Sequence, residues 1–320
     1  MHDKPLKNQY KQTRLELLKR SLRKNWILYL FLALPLAYFV IFKYIPMTGI
    51  VLAFRKYVPG KSAFGTEWRG LLYINSFLRD SSFWNTTLNT LRISIVSLVF
   101  TFIFPIVFAL LLNELPNGRF RKIVQTTANI PKFLSTVVVV MLINATFSPS
   151  YGIVNNIIKS LGGDSVFFIN NAYWFLFVYI VSELWQFVGW NSIIYMAVLS
   201  SASAEQYEAA MVDGANRWKQ TIHITLPVLA PTICLNLVIA IGYALNIGYE
   251  KILLLYNMNS IPTFAEVLQT LIYRRSFGLG GGATQYSVVT AMGLFQGVIS
   301  LTLLWFANKA VNKIGGYGLW

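Results

Sequence analysis

The sequence has few of the side chains that enzymes and metal sites use. Among 320 residues there are one cysteine, two histidines and 12 acidic residues. A single cysteine, Cys234, excludes a disulfide or a thiolate metal cluster within the chain. His2 and His223 are far apart, and the acids are dispersed, so no nucleophile with a base is indicated. We therefore expect no catalytic residue, no metal site and no cofactor in this chain.

Charge is also scarce. Charged residues make up 12% and apolar residues 55%, with a mean hydropathy of +0.53, whereas soluble proteins have about 25% charged residues. A membrane-spanning helix needs roughly 20 apolar residues. The long uncharged stretches predict an all-α, polytopic membrane protein with six transmembrane helices, the fourth absorbing the break at Glu183, near 26–45, 87–112, 130–147, 172–199, 228–249 and 287–309.

The formal charge of +15 is explained by topology better than by nucleic acid. Eight of the 27 basic residues precede Trp26, which places the amino end in the cytoplasm by the positive-inside rule. Six helices return the carboxyl end to the same side, so both termini are predicted to be cytoplasmic. The basic first outer loop, about 40 residues long, weakly opposes this. Only Tyr10 among residues 1–25 could stack on a base, so no nucleic-acid partner is expected.

The amino-terminal tail allows two interpretations. Leu15, Leu18 and Leu22 recur at helical spacing among cations, which is typical of a helix in the headgroup layer of the bilayer. A solvated basic tail fits equally well. Either way, residues 1–25 are predicted to be a cytoplasmic tail, separate from a membrane domain over 26–320.

A polar segment at 203–227 lies between two apolar runs. Ser203 and Gln206 predict a capping box at the start of a helix, and Gly214 is suited to the left-handed position that ends it. Asn216 is placed to cap a second short helix, which Pro227 is expected to stop. The segment is predicted to be a bent, solvent-facing element suited to docking on another protein.

This segment resembles the EAA loop of ABC-importer permeases through Glu208, Ala209, Ala210, Gly214, Ala215, Ile224, Leu226 and Pro227, and it is most similar to the sugar-importer branch. The resemblance implies a type I importer permease fold. It also implies a coupling helix that fits a groove on a cytoplasmic ATPase. The alternative is an amphipathic connecting loop of no special role. The coupling residues implied are Glu208, Ala209, Ala210, Asp213, Gly214, Ala215, Arg217 and Trp218.

Further stretches resemble the permease subfamily that serves large or plant-derived oligosaccharides: NTLRIS at 89–94, GYEKILLLYN at 248–257, YRRSFGLGGG at 273–282, and the last three residues. The resemblance implies a second homologous permease, giving a heterodimer, and an extracellular or periplasmic solute-binding lipoprotein. It also implies two copies of an ATPase that binds ATP and Mg. The expected location is the bacterial cytoplasmic membrane.

No nucleotide site is expected in the chain itself. Pro59-Gly60-Lys61-Ser62 imitates the end of a phosphate-binding loop, but Arg55 stands where that pattern requires glycine. The segment is also predicted on the outer side. ATP hydrolysis is therefore assigned to another chain.

A sugar pathway needs aromatic faces for the ring and amides or carboxylates for the hydroxyls, which otherwise cost about 4–8 kcal/mol each in hydrocarbon. The resemblance implies that the path runs between the later helices. Interhelical hydrogen bonding is the alternative role, and Glu183 has Arg92 as a possible partner. If Glu183 lines the path, it argues against uronate oligomers unless cations compensate. The candidates are Glu183, Trp185, Gln186, Trp190, Asn191, Asn236, Tyr243, Asn246, Tyr249 and Gln296.

An ion-coupled secondary transporter is the rival function. Such proteins carry titratable residues at the midplane and an inverted repeat. Here only Glu183 qualifies and no repeat is visible. Uptake that persists without ATP but with an ion gradient would favour this alternative.

Overall fold

The computed structural model describes residues 22–116, 118–256, 260–279 and 284–319. Most of the tail predicted at 1–25, the connector predicted at Gly280, Gly281 and Gly282, and the last residue, Trp320, lie outside the described residues. Within those ranges the chain is mostly helical, and Arg55 and Trp68 form an isolated antiparallel bridge.

Twelve helices follow one another along the described chain. They are α1 Trp26–Ala53, α2 Leu72–Leu78, α3 Ser81–Glu114, α4 Arg119–Asn129, α5 Thr136–Phe147, α6 Ile153–Ser160, α7 Ala172–Ser200, α8 Ala204–Val212, α9 Arg217–Gly242, α10 Tyr249–Leu255, α11 Leu268–Phe277 and α12 Tyr286–Gly315. The described parts of the segments 54–80, 148–171 and 243–285 share one end of the bundle, which we call the loop-rich end.

Five of these helices, α1, α3, α7, α9 and α12, are long and apolar enough to cross a membrane, and the bent pair α4 and α5 makes a sixth candidate. The predicted all-α membrane fold is confirmed. The fourth span agrees closely with its prediction and runs unbroken through Glu183. The first span is longer than predicted because π-helical and 3-10 turns carry the helix on to Ala53, and the second and sixth are longer because polar residues at their ends continue the helix.

The third span is not the single helix predicted at 130–147. A short 3-10 turn at Ile130–Phe133 separates α4 from α5, and the two helices meet at 101°. Pro131 lacks a backbone donor, Leu134 is extended, and the Ser135 hydroxyl accepts from the backbone of Val138 to start α5 anew. The local residues therefore terminate one helix and begin another.

The prediction that Pro227 stops a helix is wrong. The helix runs through it, because a π-helical turn at Thr221–Thr225 precedes Pro227 and places it in the first turn of the following α-helical stretch. A proline is tolerated there, since its missing N–H is not needed. The same span ends at Gly242 and not near 249, so Tyr243 and Asn246 lie in a connecting segment and Tyr249 begins α10.

The core is divided between the two ends of the bundle. At the loop-rich end, Phe77 and Phe83 pack with Met292, so the segment before α3 folds onto the first part of α12. Towards the other end, Ala109 and Tyr195 pack together where α3 lies along α7. These clusters fix α3, α7 and α12 as the frame on which the other elements are placed.

Helix α1 has a different environment. None of residues 26–47 is buried within the chain, and the helix contacts the rest of the described chain chiefly through its last turn, near α12. Its apolar surface is therefore available to lipid or to another protein.

Candidate functional site: a bent segment and two polar cavities

The polar segment after α7 forms the predicted helix, bend and helix. Gly214 follows α8 with φ +73°, the left-handed conformation that glycine adopts without cost. The Asn216 side chain accepts a hydrogen bond from the backbone of Lys219 at 2.9 Å, as predicted. The capping box is wrong: Ser203 is at the N-cap position, but its side chain makes no capping hydrogen bond.

Three polar contacts hold the bend in shape. The Tyr207 hydroxyl lies 3.0 Å from the Thr225 hydroxyl, and the Gln220 amide donates to the Ala215 carbonyl at 2.9 Å. Arg217 forms a 2.8 Å ion pair with Glu114 at the end of α3. The segment is thus fastened both to itself and to a neighbouring helix.

The tip of the segment is apolar and exposed. Val212 is 88% exposed and Trp218 is 71% exposed, with Met211 beside them. Of the eight predicted coupling residues, Ala210 and Ala215 are half-buried and the other six are exposed. Sequence reasoning missed Met211, Val212 and the anchoring residue Glu114. The signal for Met211 and Val212 was present, since they are large apolar residues within a polar stretch.

A cavity of about 420 Å³ lies between α5, α7, α10 and α11; we call it the outer cavity. It brings together four predicted residues: Glu183, Gln186, Asn246 and Tyr249. A fifth, Gln296, donates to the Asn246 side chain at 3.1 Å and to the Leu245 carbonyl at 2.9 Å. The lining residues that the sequence did not reveal are Thr136, Phe187, Ile247, Gly248, Glu250, Lys251 and Gln269.

Glu183 is paired with Lys251 and not with Arg92. The Lys251 ammonium lies 2.5 Å from a Glu183 carboxylate oxygen. Arg92 instead lies over the ring of Tyr173, 5.6 Å from its centroid, in the first turn of α7. The possible Glu183 and Arg92 pair is therefore wrong: Glu183 is three turns further along α7, beside the α10 helix that sequence reasoning placed in a loop.

A second cavity of about 350 Å³ lies between α3, α7 and α9; we call it the inner cavity. It contains three more predicted residues, Trp190, Asn191 and Asn236, and it is also lined by Pro105. Tyr195, which is buried, lines the inner cavity together with Asn236. The inner cavity therefore combines an aromatic face with two amides.

The other two predicted path residues lie elsewhere. Trp185 lines an apolar cavity between α5 and α7, together with Val139 and Leu142. Tyr243 is 67% exposed and lines neither the outer nor the inner cavity. The structure thus divides the ten candidates into two groups and two separate residues.

Comparison with known proteins identifies the class. Residues 105–313 match the family described as binding-protein-dependent transport system inner membrane component. The chain belongs to this family. It is a non-catalytic permease subunit of an ABC importer and a multi-pass protein of the inner membrane.

The permease is similar to two proteins of Bacillus subtilis (strain 168) along nearly its whole length. It is 36% identical to Protein LplB over 299 residues, covering 93% of this chain and 92% of that protein. It is 37% identical to the polygalacturonan/rhamnogalacturonan transport system permease protein YteP over 310 residues, covering 97% and 95%.

A solved structure shows the same fold. The permease superimposes with a TM-score of 0.83 on a chain of a bacterial ABC transporter involved in the import of the acidic polysaccharide alginate, at 38% identity. The match covers 93% of this chain and 99% of that one. A second crystal structure, of the alginate transporter with an alginate pentasaccharide-bound periplasmic protein, gives a TM-score of 0.82 at 37% identity.

Proposed function

We propose that this permease moves an oligosaccharide, derived from a complex polysaccharide, across the bacterial cytoplasmic membrane. Its relatives carry names that refer to polygalacturonan, rhamnogalacturonan and arabinooligosaccharides, and the similar solved structures concern alginate. The observation that carries the proposal is the exposed, internally fastened bend at 204–220 in a chain with two polar cavities. An ABC importer needs both a surface on which its ATPase docks and a path for its substrate.

The outer and inner cavities are the proposed binding sites along the sugar path. In the outer cavity, Gln186, Asn246 and Tyr249 offer amides and an aromatic face, and Gln296 holds Asn246 in place. In the inner cavity, the lining includes the aromatic ring of Trp190 and the amides of Asn191 and Asn236. Hydroxyl groups stripped of water need such partners. Trp185 and Tyr243 line neither the outer nor the inner cavity, and we assign them no direct contact with the sugar.

The bend is proposed to dock on a cytoplasmic ATPase, two copies of which bind ATP and Mg outside this chain. Exposed apolar side chains around Val212 and Trp218 suit a groove on a partner. The rest of the bend, which is proposed to move as a rigid element with the ATPase, consists of Glu208, Ala209, Ala210, Asp213, Gly214, Ala215 and Arg217. The ion pair between Arg217 and Glu114 transmits its movement to α3. Closure of the ATPases then shifts the membrane helices between two access states.

Other partners complete the importer. A second, homologous permease is proposed to pair with this one as a heterodimer in the bilayer, and the unburied surface of α1 is one face that it could cover. A solute-binding lipoprotein, extracellular or periplasmic, is proposed to deliver the sugar to the loop-rich end. The basic residues before Trp26 favour a cytoplasmic position for both termini, and we propose 1–25 as a tail and 26–320 as the permease domain.

Reconstitution tests the proposal. The permease, its partner permease, the ATPase and the binding protein are placed in proteoliposomes, and uptake of oligosaccharides is measured with internal or external ATP and with an imposed ion gradient. We expect uptake that requires ATP on the side of the bend. Uptake driven by an ion gradient without ATP would contradict the proposal and would identify the protein as a secondary transporter.

A further inference from the structure

Lys251 is a buried cation at the wall of the outer cavity. Its side chain is 4% exposed, and its ammonium lies 2.5 Å from Glu183 and 3.2 Å from the Ser182 hydroxyl. The ammonium also lies 5.5 Å from the centre of the Tyr179 ring. All three partners belong to α7, so one lysine of α10 is held entirely by the neighbouring helix.

The two charges depend on each other. Removing an ammonium or a carboxylate from water is costly, and its opposite charge must compensate for that cost. Glu183 is itself only 23% exposed. Loss of Lys251 would therefore leave a poorly hydrated carboxylate, and loss of Glu183 would leave a buried cation.

The pair also sets the charge that a passing solute meets, because both residues line the outer cavity. Two further charges are near. Glu250 lines the cavity and is exposed to solvent, and Lys132 lies 4.3 Å from the ring centre of Phe187, another lining residue. Within the described ranges, Glu183 and Lys251 are the lining residues that form an ion pair.

We propose that Lys251 determines charge specificity: by neutralising Glu183, it allows an oligosaccharide that carries carboxylate groups to pass the outer cavity. The inference rests on the proposed function, because it assigns a substrate class to the same path. Of the two carboxylates that line the outer cavity, Glu250 is exposed to solvent, and Glu183 is the less hydrated one that would otherwise repel acidic sugars; the structure supplies its compensating cation on α10.

The expected effect is large enough to measure. An unpaired carboxylate at the cavity wall would lie within about 6 Å of a carboxylate on the sugar. At an effective dielectric constant of about 20, that repulsion corresponds to a discrimination of about a hundredfold, of which about tenfold should survive screening by water and salt. A neutral sugar of the same shape would not experience it.

The test compares two matched sugars in the reconstituted complex. One is a uronate oligosaccharide, and the other is the same oligosaccharide with its carboxylates reduced to alcohols. The wild type is expected to take up both. In Lys251→Met, the ratio of acidic to neutral uptake should fall about tenfold or more. In Glu183→Gln, which leaves the cation, the ratio should stay or rise, and in the double variant it should return to the wild-type value.

The controls separate charge from folding. Lys159→Met removes one exposed lysine of α6, away from the cavity, and should leave the ratio unchanged. If Lys251→Met does not fold, Lys251→Gln, which removes the charge but keeps a donor for Glu183, gives the ratio. A ratio that stays at the wild-type value in the folded Lys251 single variant, or a wild type that takes up only the neutral sugar, would overturn the role of Lys251. A wild type that takes up neither sugar contradicts the proposed function instead.

Discussion

Gly189 of α7 lies directly against Ala128 of α4. A Cβ atom built on Gly189 would lie 2.3 Å from the Ala128 carbonyl oxygen and 2.9 Å from the Asn129 side chain. Both close atoms are at the end of α4, immediately before the bend at Ile130–Phe133. This crossing therefore holds the broken third span against the fourth, between the outer and inner cavities.

Substitution of Gly189 should destabilise the permease. Even an alanine would collide with backbone, and overpacking of this kind costs about 1–3 kcal/mol. We expect Gly189→Ala to lower the melting temperature in detergent and Gly189→Val to lower it further. Gly293→Ala is the matched control, because nothing lies within 4 Å of a Cβ there. Equal melting temperatures for the Gly189 and Gly293 variants would show that the crossing is not tight.

The bend should not tolerate proline at position 214. Proline fixes φ near −65°, whereas Gly214 has φ +73° and donates its N–H to the Met211 carbonyl at 3.1 Å. Uptake by Gly214→Pro is expected to fall to background while the chain still inserts. Gly214→Ala meets no atom within 4 Å and carries only about 1–2 kcal/mol of left-handed strain, so it should retain partial uptake. Normal uptake by a well-inserted Gly214→Pro variant would contradict the proposal that the bend couples the ATPase to transport.

The neutral amide of Gln296 should matter through the hydrogen bonds that it donates. It is 4% exposed and donates to Leu245 and Asn246, so Gln296→Met leaves a buried carbonyl unsatisfied at a cost of about 1–3 kcal/mol. We expect a higher KM for uptake, because Asn246 loses its support. Thr302→Val, on the exposed face of the same helix, is the control. A KM that is unchanged in Gln296→Met would remove Gln296 from the path.

The ion pair between Asp80 and Arg275 at the loop-rich end is expected to be sensitive to acid. Partial burial acts to raise the pKa of Asp80, but hydrogen bonds from Arg275 and Ser82 and the charge of Arg275 lower it below its ordinary value of 3.8. The ion pair therefore contributes stability above about pH 4, and this contribution is lost as pH falls through the lowered pKa.

Asp80→Asn tests this contact. Asparagine keeps the helix cap that Asp80 gives to Ser82, so the variant removes the charge alone. We expect a loss of about 1 kcal/mol or less at pH 7, and a weaker dependence of melting temperature on pH below pH 4. Parallel melting curves for variant and wild type across pH 3 to 7 would refute the contribution of the pair.

The sequence was informative where local chemistry decides the structure. Apolar length predicted the spans, and Gly214 and Asn216 predicted the bend, because a left-handed glycine and an asparagine cap act on their own neighbours. It failed where tertiary contacts decide. Pro227 is accommodated by a π-helical turn that its neighbours do not reveal, and Lys251 reaches Glu183 across 68 residues. The path residues divided into two cavities for the same reason.

The central claim is that the exposed bend binds a separate ATPase in the cytoplasm. A photo-crosslinking side chain at Val212, which is 88% exposed, tests it in intact cells. Leu161, which is 82% exposed near the loop-rich end, serves as the control position. The account predicts that the Val212 position crosslinks to a nucleotide-hydrolysing subunit and that the Leu161 position does not. A Val212 adduct with no ATPase, or with proteins outside the cell, would contradict it.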